Sequence, residues 1–270
     1  MVGLSLVRDA PGPLRRPRKD DFDRYPNAGK LLVEKLALAV GEKVLDIGCG
    51  TEFFASHASE NVGPAGSIVA IGPKPAPVEL AALKAKSNLT FREGDAYDLI
   101  DFAESTFDVV CMNTAFHGLP EDVGPLLQIH RVLRRGGRMG IATGPGEHLG
   151  TLQTIRKRVL ACEPYVAFPV ARVGTAHRVT VKELQDLLLD IGFVVTAIML
   201  VPNVTVHPTA CAALEHSQAS SFGNFLGHLP EELRSSATNE ILRVLDASRT
   251  PEGIRLECAR LIAVAHKLRD

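Results

Sequence analysis

Between Val44 and Thr51 the chain reads Val-Leu-Asp-Ile-Gly-Cys-Gly-Thr, a short apolar run with one carboxylate, Asp46, that breaks into Gly48, Cys49 and Gly50. An apolar strand ending in closely spaced glycines suits a turn where main chain must approach a ligand, because glycine presents no Cβ and accepts left-handed dihedrals. The spacing is not that of a nicotinamide dinucleotide turn, since Phe53 occupies the third glycine position of Gly-x-Gly-x-x-Gly. Two further polar groups follow short apolar runs: Gly94-Asp95-Ala96, and Asn113-Thr114 with His117 close behind. His117 is the residue type for a general base or acid near neutral pH; the competing reading is a histidine hydrogen-bonded within its loop. His207 and Cys211 are four residues apart, as on one helix face. Two ligands without a third do not make a metal site, so no metal is expected. Cys49 and Cys111 read as small packing hydrophobes.

The elements that must position these residues alternate in type. Asn27 is placed to cap a helix carrying Leu31, Leu32, Leu36 and Leu38, with Gly41 beyond it. Strands are predicted at Lys43–Ile47, Ser67–Ile71, Leu89–Arg92, Phe107–Met112 and Arg138–Thr143, with helices near Ala76–Lys86 and Leu126–Arg134. Such alternation predicts βαβ units and hence a doubly wound, mostly parallel α/β sheet, with its ligand outside the carboxyl ends of the strands. Thr180-Val-Lys-Glu183 is a capping-box match for a helix to Asp190, stopped by Gly192, and Phe193–Val201 and Ile254–Ala265 read as strands.

Residues 1–26, with four prolines and the basic group Arg15, Arg16, Arg18 and Lys19, read as an irregular leader; residues 27–270 read as one domain. Residues 147–179 and 207–252 interrupt the alternation yet carry apolar residues at helical spacing (Ile155, Val159; Leu233, Ile241, Leu245). They are predicted to be helical insertions, either a lid over a small-molecule pocket or surface used for packing or a homodimer contact. His148, Tyr165, His177, His216 and His228 are their candidate polar groups.

Composition narrows the function classes. In 270 residues, 30 Lys and Arg stand against 31 Asp and Glu, so no net field selects nucleic acid or an anionic membrane. Asp20, Asp21 and Asp23 also neutralise the one basic cluster. Five cysteines without a Cys-x-x-Cys pair, no stretch of 18 apolar residues and no secretory h-region point to a cytoplasmic protein.

Read whole, the string from Val44 to Thr51 resembles motif I of the class I S-adenosylmethionine-dependent methyltransferases, in the branch of the ubiquinone and menaquinone C-methyltransferases. Four further matches follow in the family's order: Gly94-Asp95-Ala96, Ser105-Thr-Phe-Asp108-Val-Val, Phe116-His117-Gly-Leu-Pro and Ile129-His-Arg-Val-Leu-Arg-Arg-Gly-Gly137. The resemblance implies a Rossmann-like, seven-stranded sheet and S-adenosylmethionine as cofactor. It also implies that Asp46 anchors the motif I loop and that Gly48, Cys49 and Gly50 admit the methionine end. By the same resemblance Asp95 accepts from the adenine amino group and Ala96 meets the ring. Asn113 marks the end of the fourth strand, where donor and acceptor meet, and Tyr25 lies in a segment that family members fold over the cofactor.

Two positions depart from the family. Glu52 stands where motif I continues with glycine, and Gly72 stands where the second strand ordinarily ends in the carboxylate that takes the ribose hydroxyls. Losing that pair of hydrogen bonds costs roughly 2–4 kcal/mol unless another group replaces it, and Glu79 on the following helix is one candidate. Three functions stay open: O- or C-methylation of a small, largely apolar metabolite, as in secondary metabolism; a cofactor-independent cyclase, pericyclase or isomerase on the same scaffold; or a catalytically dead binding subunit.

Overall fold

The computed structural model describes residues 28–48, 53–72, 86–113, 115–116, 123–169, 178–219 and 226–268. The leader, Tyr25, Cys49 to Glu52, the helix expected near Ala76–Lys86, Thr114, His117 and His177 therefore lie outside the described residues.

Helix α1 (Ala28–Leu36) leads into β1 (Lys43–Ile47), followed by α2 (Phe53–Val62), β2 (Ser67–Gly72), β3 (Leu89–Glu93) and β4 (Phe107–Asn113). Then come α3 (Gly124–Val132), β5 (Leu133–Thr143), α4 (Thr151–Leu160) and α5 (Val181–Asp190). The chain continues through β6 (Phe193–His207), α6 (Ala210–Ala219), α7 (Glu231–Asp246) and β7 (Ile254–Lys267). The strands form one sheet in the order β3-β2-β1-β4-β5-β7-β6, parallel except where β7 runs antiparallel between β5 and β6.

Both faces of the sheet are covered, as parallel pairing requires. Val44, Ile68, Val109 and Cys111 pack toward α1 and α2, with Leu32, Leu36 and Phe54. Their neighbours Leu45, Ile47, Val110 and Met112 pack on the opposite face toward α3 and α5, with Ile129, Leu184 and Leu188. The predicted capping box is present: Glu183 N donates to Thr180 Oγ1 at 3.1 Å and Thr180 N to Glu183 Oε2 at 2.7 Å. Arg138 on β5 ties the end of α1 to the sheet, donating to the carbonyls of Leu36 and Ala37 and pairing with Glu42 at 2.7 Å.

Two strands differ from the sequence reading. Strand β5 starts at Leu133 rather than Arg138, because Leu133 pairs with Phe107 before the register shifts at Val109. Strand β6 continues past Val201 to His207, pairing with β7 as far as Ile254. The two strands therefore project beyond the parallel sheet as a ribbon. Helices α4, α6 and α7 and the short turn Tyr165–Ala167 pack on it around Leu152, Tyr165, Leu214 and Ile241, with Ile254 and Leu256 from the ribbon.

Candidate functional site

Strand order reverses between β1 and β4, both of which pair with their outer neighbours and with each other, so their carboxyl ends open a crevice. Gly48 leaves β1 with φ +80°, and its N–H donates to the carbonyl of Ile71 at 2.8 Å. A Cβ placed on Gly48 would lie 2.2 Å from that of Ala115, just past β4. Main chain can run this close across the crevice only with glycine at this position.

Asp46 sits one turn of the pleat behind Gly48, 2% exposed and in register with Ala70 on one side and Cys111 on the other. Burial pushes its carboxyl up to about 7, and burial together with the charge of Asp46 raises the Cys111 thiol well above its ordinary value. This environment favours a neutral, hydrogen-bonding carboxyl over a solvated charge.

Side chains alternate across a strand, so position in the pleat decides which groups share a face. Asp46, Cys111 and Asn113 lie on the α1 and α2 face, as do Ala70 and, two residues on, Gly72. Leu89 and Phe91 pack on that face too, which sets Glu93 there at the end of β3, directly opposite Gly72 in the ladder. Among the described residues no group bonds the exposed Glu93 carboxylate. Sequence reading missed this residue, because only the pairing of two strands 17 to 21 positions apart shows that a carboxylate stands beside Gly72. The motif after it is a tight turn: Asp95 Oδ1 accepts from Tyr97 N at 3.0 Å, Gly94 N donates to the Gly72 carbonyl at 3.0 Å, and Ala96 is buried. Asp46, Gly48, Asp95, Ala96 and Asn113 thus all fall at the carboxyl edge of β1, β3 and β4.

A second feature lies farther along that edge. A cavity of about 100 Å³ is bounded by Gly144 after β5, Arg178, Asn203 and Thr205 on β6, Cys258 and Arg260 on β7, and His216 on α6. Of the histidines and tyrosine proposed for the insertions, His216 is the one among the described residues that reaches it. Tyr165 is instead fully buried, with its hydroxyl at 2.8 Å from Ser236 Oγ, and so fastens the turn onto α7. His228 is half-buried, and its Nε2 has no hydrogen-bond partner among the described residues. His148 is half-buried and does not line the cavity. His207 and Cys211 do not share a helix: His207 ends β6 and bonds Thr205 Oγ1 at 2.9 Å, while Cys211 on α6 bonds Glu215. His207 stacks near His216 instead, with ring centroids 5.0 Å apart.

Comparison with known proteins bears on this arrangement. Residues 45–141 match the family model described as a methyltransferase domain. The demethylmenaquinone methyltransferase of Lactococcus lactis subsp. lactis (strain IL1403) is 32% identical over 111 residues, 40% of this chain and 44% of that protein. The chain thus spans about half the length of the curated relatives it matches. Among solved structures, the BH2331 protein from Bacillus halodurans C-125 superposes with a TM-score of 0.61 at 14% identity, covering 90% of this chain and 99% of that one. The [4+2]-cyclase SpnF superposes with a TM-score of 0.55 at 18% identity, covering 90% of this chain and 81% of that one. At these identities the two superpositions establish the shared fold.

Proposed function

From the match of residues 45–141 to a methyltransferase domain we propose that the chain is a class I methyltransferase, which methylates a small acceptor at oxygen or carbon using S-adenosylmethionine. The observation that carries the reading is the crevice between β1 and β4, kept open to main-chain approach by Gly48 against Ala115 and backed by the buried Asp46. The residues present suit the cofactor. Gly48, with Cys49 and Gly50, would admit its amino-acid end, Asp95 would accept from the adenine amino group, and Ala96 would supply an apolar contact. Glu93 would take the ribose hydroxyls in place of the carboxylate that Gly72 lacks. Tyr25 would cover the site.

S-adenosylmethionine, when bound, supplies an electrophilic methyl group on a sulfonium. The protein's share of the work is then positioning, which alone accounts for a large part of such rate enhancements. Asn113, at the end of β4, orients the acceptor with its half-buried amide. His117 takes the proton that the acceptor releases as its new bond forms.

Isothermal titration with S-adenosylmethionine and S-adenosylhomocysteine tests the reading. The expected Kd lies below about 100 μM. Absence of heat for both ligands at millimolar concentration overturns it. Gly72 at the end of β2, with Glu52 in motif I, is what favours a second reading, a cofactor-independent cyclase or isomerase on a small, largely apolar metabolite. The protein named SpnF is a cyclase of similar fold, so the scaffold accommodates such chemistry.

A further inference from the structure

The cavity beside the ribbon is lined by positive charge that no acceptor among the described residues neutralises. Arg178 reaches into it so closely that a Cβ on Gly144 would stand 3.1 Å from Nη1, and the absence of a side chain there is what admits the guanidinium. Arg260 enters from β7, on the same face of the strand as Cys258 and Leu256. Burial, with the nearby charges of Arg260 and Arg156, disfavours the charged form of Arg178 and lowers its pKa below the usual guanidinium value. Among the described residues no carboxylate or carbonyl accepts from either arginine. The one carboxylate at the cavity wall, Glu257, is already paired with Arg255 at 2.8 Å. The remaining wall carries neutral polar groups, Asn203, Thr205, Thr151 and Gln153, beside apolar Leu152, Leu256 and Ala259.

A half-buried guanidinium without a counter-charge carries a desolvation cost, and a second one nearby adds repulsion. The partner that removes this cost is an anion, and a planar fork of donors matches the two oxygens of a carboxylate or a phosphate. The location fits a reacting molecule: Gly144 follows β5, which is hydrogen-bonded to β4 up to the Asn113 and Ala142 pair, so the cavity begins about one strand spacing, roughly 5 Å, from the end of β4.

We propose that this cavity binds the anionic group, a carboxylate or phosphate monoester, of the small molecule the enzyme acts on, with Arg178 and Arg260 as its counter-charges. Naming that molecule as the methyl acceptor rests on the methyl-transfer reading; the anion site itself does not.

The test uses the full chain at constant ionic strength with no cofactor added, and titrates sodium hexanoate, hexyl phosphate and 1-hexanol by calorimetry. One or both acids bind and the alcohol does not, and the tighter acid identifies the headgroup. Arg178→Met and Arg260→Met each weaken the acid about 10- to 100-fold, and Arg178→Lys retains part of the affinity. Without ligand, Arg178→Met melts at or above the wild-type temperature, because it removes an unpaired, half-buried charge, which also shows that the variant folds. Equal binding of 1-hexanol, no binding of either acid, or undiminished acid binding by both methionine variants overturns the proposal. Parallel titration with S-adenosylhomocysteine keeps the two readings apart: lost anion binding with retained nucleoside affinity rejects the anion site alone, and the converse rejects methyl transfer alone.

Discussion

Gly72, the last residue of β2, stands directly opposite Glu93, the last residue of β3, and the pleat points both positions to the same face of the sheet. The pairing thus sets a carboxylate about one strand spacing, roughly 5 Å, from Gly72, and on the proposed reading this carboxylate takes the ribose hydroxyls.

Replacing Glu93 by Gln is expected to weaken S-adenosylhomocysteine binding by about tenfold or more, the value of one charge-assisted hydrogen bond. Gly72→Asp introduced into that variant restores the affinity. Calorimetric titration of the single and double variants measures both effects. Unchanged affinity in Glu93→Gln would remove Glu93 from the ribose position.

Gly48→Ala forces a Cβ to within 2.2 Å of that of Ala115 and places alanine at φ +80°. Left-handed backbone and overpacking each cost about 1–3 kcal/mol, so the variant loses several degrees in Tm and its nucleoside affinity. Ala115→Gly in the same chain recovers the packing part and leaves the backbone part. Thermal melts of wild type and the two variants separate the two contributions.

Asp46 gives the protein an unusual pH profile. Its carboxyl titrates at about 7 in the folded chain and near 4 when unfolded, so between those values the native state holds the extra proton. Stability from this group is thus present at low pH and falls as pH rises from about 4 to 7, by roughly 3–4 kcal/mol over the full window. Asp46→Asn removes that slope. Urea midpoints of wild type and variant, compared from pH 5 to 8, should converge at the acid end and diverge at the alkaline end; parallel curves would show that Asp46 is not buried as a titrating acid.

Arg138→Met breaks the joint between α1 and β5. Glu42 is half-sheltered, which by itself raises its carboxyl, but the hydrogen bonds from Arg138 and the Ala39 N–H and the charge of Arg138 bring it net below the ordinary value. Removing Arg138 leaves the carbonyls of Leu36 and Ala37 without their donor and Glu42 without its counter-charge, an expected loss of about 3 kcal/mol near pH 7. The loss narrows as pH falls through the Glu42 titration, where wild type gives up the same pairing. Denaturant unfolding at two pH values checks it.

The parallel half of the fold was legible because each strand there is a short apolar run closed by a turn residue, and helix α5 announced itself through Thr180 and Glu183. Strand β6 was not legible past Val201. Pro202, Asn203 and Thr205 look like a turn, and they remain extended only because β7 pairs with them on one side while the proline sits on an edge strand. The site divides in the same way. Gly48 and Asp95 belong to local motifs. Glu93 emerges only from strand pairing, and Arg178 and Arg260, 82 residues apart in sequence, have no local pattern to mark them.

The projecting ribbon has a further consequence. The matched family stretch ends at Ile141, before β5 itself is complete, whereas Arg178, Arg260, the ribbon and the helices seated on it all come later in the chain. Those helices form a cluster of their own, sharing no core residue with the parallel strands. Substitutions among Leu152, Leu214 and Ile241 can therefore alter how the helices seat on the ribbon without touching the cores that hold the crevice at Gly48.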